Sequence, residues 1–120
     1  MALDLRVSTS GDIAIVFCRG RVVFGEGTDE LRRVILRLLN ETKNIVLNFA
    51  WLGQVDCNGL GMLVALFASA CDRGATIKFA APSPAVQKLF TATGLDSLFE
   101  IYDSNEDALK SFHPPSNIAA

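Results

Sequence analysis

Three short runs, residues 13–18, 44–49 and 76–80, carry apolar or β-branched side chains, and stretches of helical length separate them. The first, Ile13-Ala14-Ile15-Val16-Phe17-Cys18, holds no polar residue at all. A run of that kind belongs near the centre of a sheet covered on both faces. Strands that alternate with helices must be joined by crossovers, which implies a mainly parallel sheet.

The remaining segments fit around these runs. Leu3, Leu5 and Val7 alternate with Asp4, Arg6 and Ser8, as in a half-buried strand. Ser10-Gly11-Asp12 reads as a tight turn that folds this strand back on the next as a hairpin. Gly25-Glu26-Gly27 reads as a loop, with Thr28 capping an amphipathic helix that ends near Thr42. Leu31, Val34, Ile35, Leu38 and Leu39 fall on its inner face, and Arg32, Arg33 and Arg37 lie opposite. A loop containing Gly53 is expected after residue 49, then a helix to about Asp72 capped by Asp56 or Asn58, with Gly74 left-handed beyond it. Pro82-Ser83-Pro84 opens a third helix with Val86, Leu89 and Phe90 inward, and Gly94 ends it. Residues 99–102 suit a short edge strand, and a last helix is capped by Asp103 or Ser104. The expected fold is a single α/β domain over residues 1–112, with a mixed, mainly parallel sheet of four to five strands and about four helices. Residues 113–120 are expected to be a flexible tail.

Several functions are disfavoured by composition. The net charge of −2 gives no general attraction to nucleic acid or anionic membrane. Three cysteines without a C-x-x-C, and one histidine (His113), make a metal site or a disulfide framework improbable. The longest apolar stretch, residues 60–68, is too short to insert in a bilayer, and residues 1–6 lack the pattern of a signal peptide. A cytoplasmic protein with reduced thiols fits these features. No acidic pair, nucleophile with a base, or phosphate loop stands out, so neither catalysis nor a cofactor is expected.

The segment Asp56-Cys57-Asn58-Gly59-Leu60-Gly61 follows a strand and opens an apolar helix. This Asp-x-x-Gly-Leu-Gly arrangement resembles the STAS family, whose founding members are bacterial anti-anti-sigma factors. Other pieces fall in the family's order: Gly20, Asn48-Phe49-Ala50, Gly74, Ala80-Ala81-Pro82-Ser83-Pro84, Gly94-Leu95, Leu98-Phe99, and Ser104-Asn105-Glu106-Asp107 leading into Ala108-Leu109. The resemblance covers roughly residues 3–112. It implies a regulatory module that binds an anti-sigma factor, a kinase-like partner, and so releases sigma. It also implies a switch, in which that kinase phosphorylates a Ser or Thr just after the motif's Asp. A phosphate brings about −1.5 to −2 charges to a helix N-terminus and repels a partner built to dock there. Here Cys57 and Asn58 occupy those positions, and neither has a hydroxyl. Asn48, Ala50 and Val23 also replace an acid, a Ser and an Asp common in the family. A binding module without phosphorylation at this site is expected. The alternative is a non-catalytic STAS subunit of a larger assembly, such as a stressosome-like or lipid-transport complex.

The candidate partner surface comprises Asp56, Cys57, Asn58, Gly59, Met62 and Leu66. Asp56 is either a partner anchor or a helix cap, and both roles are compatible. Cys57 most simply fills the place of Ser, although a thiol at a helix N-terminus also suits redox sensing. Gly59 and Gly61 serve packing and loop geometry better than they would serve phosphate. Leu60, Leu63, Val64, Phe67 and Cys71 make an inner helix face, which leaves Met62, Ala65, Leu66 and Ser69 on the other side. That second apolar side is either a partner or homodimer patch or the mark of two-sided burial. Trp51 is either an interface anchor or a lid on the core. Arg19, Arg21, Arg32, Arg33 and Arg37 are best read as ordinary solvated charge, the other reading being a basic stripe for an acidic partner.

Overall fold

A computed structural model describes residues 3–23 and 26–112. Gly25 and residues 113–120, including His113, lie outside the described residues. The elements are β1 (Leu3–Ser10), β2 (Ile13–Val22), α1 (Glu26–Leu38), β3 (Asn44–Val55), α2 (Cys57–Asp72), β4 (Thr76–Ala80), α3 (Pro84–Thr93), β5 (Glu100–Tyr102) and α4 (Asn105–Phe112). A single 3₁₀ turn, Leu95–Ser97, precedes β5.

The strands stand in chain order, β1-β2-β3-β4-β5. β1 and β2 form an antiparallel hairpin closed by Gly11 and Asp12, with Gly11 at φ +61°. A glycine is suited to that first loop position because an L side chain resists positive φ. Every later pairing is parallel. The expected α/β class and mixed, mainly parallel sheet are therefore what the chain adopts, with five strands and four helices.

The two faces of the sheet are covered differently. Ala14, Val16 and Cys18 of β2, Ile45, Leu47 and Phe49 of β3, and Ile77 and Phe79 of β4 share a core with α1, α2 and α3. Phe49, Phe79, Phe90 and Phe99 cluster there, with Phe79 stacked on Phe99 at 4.5 Å between ring centroids. The opposite face carries Ile13, Ile15, Val46 and Ala80, packed beneath Ala108 with Leu109 and Phe112 of α4. Burial of β2 on both faces accounts for its unbroken apolar run.

Several boundaries differ from the sequence reading. The helix α1 starts at Glu26, so Thr28 lies in its first turn and donates its hydroxyl to the Val23 carbonyl instead of capping. It ends at Leu38, and turns carry the chain through Glu41. β3 continues to Val55 through the segment read as a loop, because Leu52 and Val55 keep burying side chains beside β2. Two register shifts, at Phe17/Arg19 and Gly20/Arg21, accommodate this extension. Val7 is 42% exposed, so the inward alternation of β1 reaches only Leu3 and Leu5.

Candidate functional site

β3 delivers the chain to the start of α2. Val55 is still paired with Val22, and the Asp56 amide donates to the Val22 carbonyl at 3.2 Å. Asp56 is extended, with φ −98° and ψ −176°. Its Oδ1 accepts from the Gly59 amide at 2.8 Å, and its carbonyl accepts from the Leu60 amide at 2.8 Å. Asp56 is therefore the N-cap of α2, and the carboxylate meets a helix end that favours negative charge. Asn58 does not cap. Gly59 is buried because α2 enters against β2: a Cβ there would lie 2.3 Å from the Val22 carbonyl oxygen.

Cys57 and Asn58 are exposed on the first turn, and Gly61 continues that exposed side with open space around it. Met62 and Leu66 do not belong to it. They are buried at 8% and 3% exposure, which corrects their assignment to an outward patch. The cause is that α2 packs on α1 as well as on the sheet, so its buried arc takes in Gly59, Leu60, Met62, Leu63, Leu66 and Ala70. Phe67 is half-buried against Phe99, and Cys71, expected inward, is exposed. Two-sided burial accounts for the apolar character of this helix.

Cys57 and Cys71 lie on the first and last turns of α2, roughly 21 Å apart at 1.5 Å per residue, too far for a disulfide. Cys18 is buried in the core, and burial pushes its thiol far up. Among the described residues, no group of His, Cys, Asp and Glu could hold a metal ion, and no helix is long and apolar enough to cross a membrane.

Asn48, where the family often has an acid, is buried and structural. Its side-chain oxygen accepts from the Ala50 amide at 3.0 Å, and its amide donates to Asn105 Oδ1 at 3.2 Å, tying β3 to α4. Trp51 is 74% exposed and is no lid on the core. It stands beside Arg19 on β2 and lines a shallow depression with Asp4, Arg6 and Phe17. The five arginines do not form one stripe: Arg19 and Arg21 are on β2, Arg32, Arg33 and Arg37 on α1, and Arg33 is paired with Glu30 at 2.8 Å.

The family model that matches this chain is the STAS domain, over residues 4–108. The chain belongs to the STAS domain family. Solved structures share the fold at low identity. A putative anti-sigma factor antagonist from Thermotoga maritima is 20% identical, with 89% of this chain and 92% of that one covered at a TM-score of 0.82. The Bacillus cell-fate determinant SpoIIAA in its phosphorylated form is 18% identical, with 93% and 100% covered at 0.71. A sulfate transporter family protein from Wolinella succinogenes is 19% identical, with 87% of each chain covered at 0.76.

Proposed function

We propose that this STAS domain is a non-catalytic regulatory module of the cytoplasm that binds an anti-sigma factor through the start of α2, and that it does so without a phosphorylation switch. One observation carries the reading. The first turn of α2 presents Cys57 and Asn58 to solvent, on a helix end fixed by Asp56, and the family resemblance puts a phosphoacceptor hydroxyl at these positions. Asp56, Cys57 and Asn58 form the contact surface, with Gly59 setting the position of the helix and Gly61 leaving room for an approaching backbone. Met62 and Leu66 support the helix from within. The similarity of fold to SpoIIAA and the Thermotoga antagonist supports this direction.

The test is affinity capture from the native cell, with mass spectrometry of the partners and of the peptide 55–63. A kinase-type anti-sigma factor is expected, captured by the parent chain but not by Asn58→Arg, with no phosphate on the peptide. Phosphate on residues 55–63 refutes the switch-free reading. A second reading, a subunit of a larger assembly, is favoured by the missing hydroxyl together with the fold shared with a transporter-family protein. Capture of a transporter ATPase or a multi-copy scaffold decides for it.

A further inference from the structure

β1 is an edge strand of eight residues whose pairing with β2 runs without a break from Leu3↔Gly20 to Ser10↔Ile13. Among the described residues nothing pairs with its outer edge. The two-residue loop makes Ser10 and Ile13 the hydrogen-bonded closing pair. Alternation along the ladder then turns the N–H and C=O groups of Leu3, Leu5, Val7 and Thr9 away from β2. Strands in this position are usually guarded by proline, a bulge or charged side chains, lysine above all. β1 has no proline, bulge or lysine, and its charged residues are Asp4 and Arg6.

Its two charges select a partner. Asp4 and Arg6 lie on one face of the strand as a loose, solvent-exposed ion pair at 4.0 Å, with side chains 49% and 83% exposed, so both charges stay open to a partner. In an antiparallel pairing of β1 with the β1 of a second copy, the register decides which charges meet. Centred on Asp4 or on Arg6, the pairing sets like charges directly opposite each other, which is unfavourable. Centred on Leu5, it sets Asp4 opposite Arg6 of the other copy twice. The same register places Leu3 opposite Val7 and Leu5 opposite Leu5 on the other face. That covers Val7, which a single copy leaves exposed. It also makes Leu5, whose backbone groups point outward, the central hydrogen-bonded pair.

We propose that the partner of the β1 edge is a second copy of this chain, paired antiparallel about Leu5, so that two five-stranded sheets join into one. This interface lies on β1 and does not depend on the α2 surface or on its anti-sigma factor partner.

The test is a charge swap on the full chain, read by sedimentation equilibrium, with circular dichroism to confirm folding. The parent chain is expected to dimerise. Asp4→Arg and Arg6→Asp, each alone, set like charges opposite each other twice and weaken self-association about tenfold or more. An equal mixture of these two variants restores the dimer, because each supplies the charge the other needs, and so does the double variant. Added salt weakens the parent dimer. A parent chain that stays monomeric at millimolar concentration overturns the proposal. So do single reversals that dimerise like the parent, or a mixture that stays monomeric.

Discussion

The Val22 carbonyl oxygen sits where the Cβ of any larger residue at position 59 would go, 2.3 Å away, with Val55 Cγ1 at 3.0 Å and Val22 Cγ1 at 3.1 Å. The obstacle is backbone and cannot swing aside. Gly59→Ala must therefore push α2 off the end of β2, an overpacking cost of about 1–3 kcal/mol. Gly61, two residues on, is exposed within the helix, and a Cβ there would meet nothing within 4 Å. Gly61→Ala is expected to stabilise by up to about 1 kcal/mol through helix propensity alone. Urea unfolding of the two variants checks both, and a Gly59→Ala protein as stable as the parent would contradict the close approach.

The Asp56 cap gives a second separable effect. Asp56→Ala removes the acceptor for the Gly59 amide and is expected to cost about 1 kcal/mol. Asp56→Asn keeps a side-chain oxygen in place and is expected to stay within a few tenths of the parent. Equal losses in the two variants, measured by the same unfolding, would mean that the carboxylate's charge, not the cap bond, holds the helix end.

Much of this architecture is legible in the residues. Runs such as 13–18 declare a strand covered on both faces, and Ser83 and Gly94 bracket α3 as their side chain and φ of +78° require. The misreadings have physical sources. Gly53 suggests a loop, but β3 continues because Leu52 and Val55 still find core on one side. The outward side of α2 cannot be read from its own periodicity, since whether Met62 and Leu66 meet solvent depends on where α1 lies. Trp51 is hydrophobic yet 74% exposed beside Arg19, a placement that its residue type does not signal. Lys78 falls in a strand and ends up 6% exposed beneath α4, which no local pattern signals.

Thiol accessibility separates the three cysteines. Cys57 and Cys71 are exposed, and Cys18 is buried with its thiol held far from ionisation. In the native protein at mildly alkaline pH, a disulfide reagent is expected to modify two thiols quickly and the third only on the timescale of unfolding. Cys57→Ser and Cys71→Ser should each remove one fast equivalent. Rapid reaction of all three would show that the β2 core opens far more readily than its packing implies.

Lys78 is the pin between the sheet and α4. Its Nζ donates to Ser111 Oγ at 2.7 Å, lies 3.4 Å from Glu100 Oε1 and sits 4.3 Å from the centre of the Phe112 ring. Glu100 is half-exposed, so the ion pair itself adds little. The long apolar stem, packed under α4, matters more. Lys78→Met also removes the donor to Ser111 but keeps most of that stem, and is expected to cost less than about 1.5 kcal/mol. Lys78→Ala empties the space and leaves Ser111 without its donor, an expected loss of about 2–4 kcal/mol. Hydrogen exchange should show faster exchange of the α4 amides in Lys78→Ala, with α2 and α3 unchanged. Equal loss in the Met and Ala variants would assign the stability to the charge and its partners in place of the packed stem.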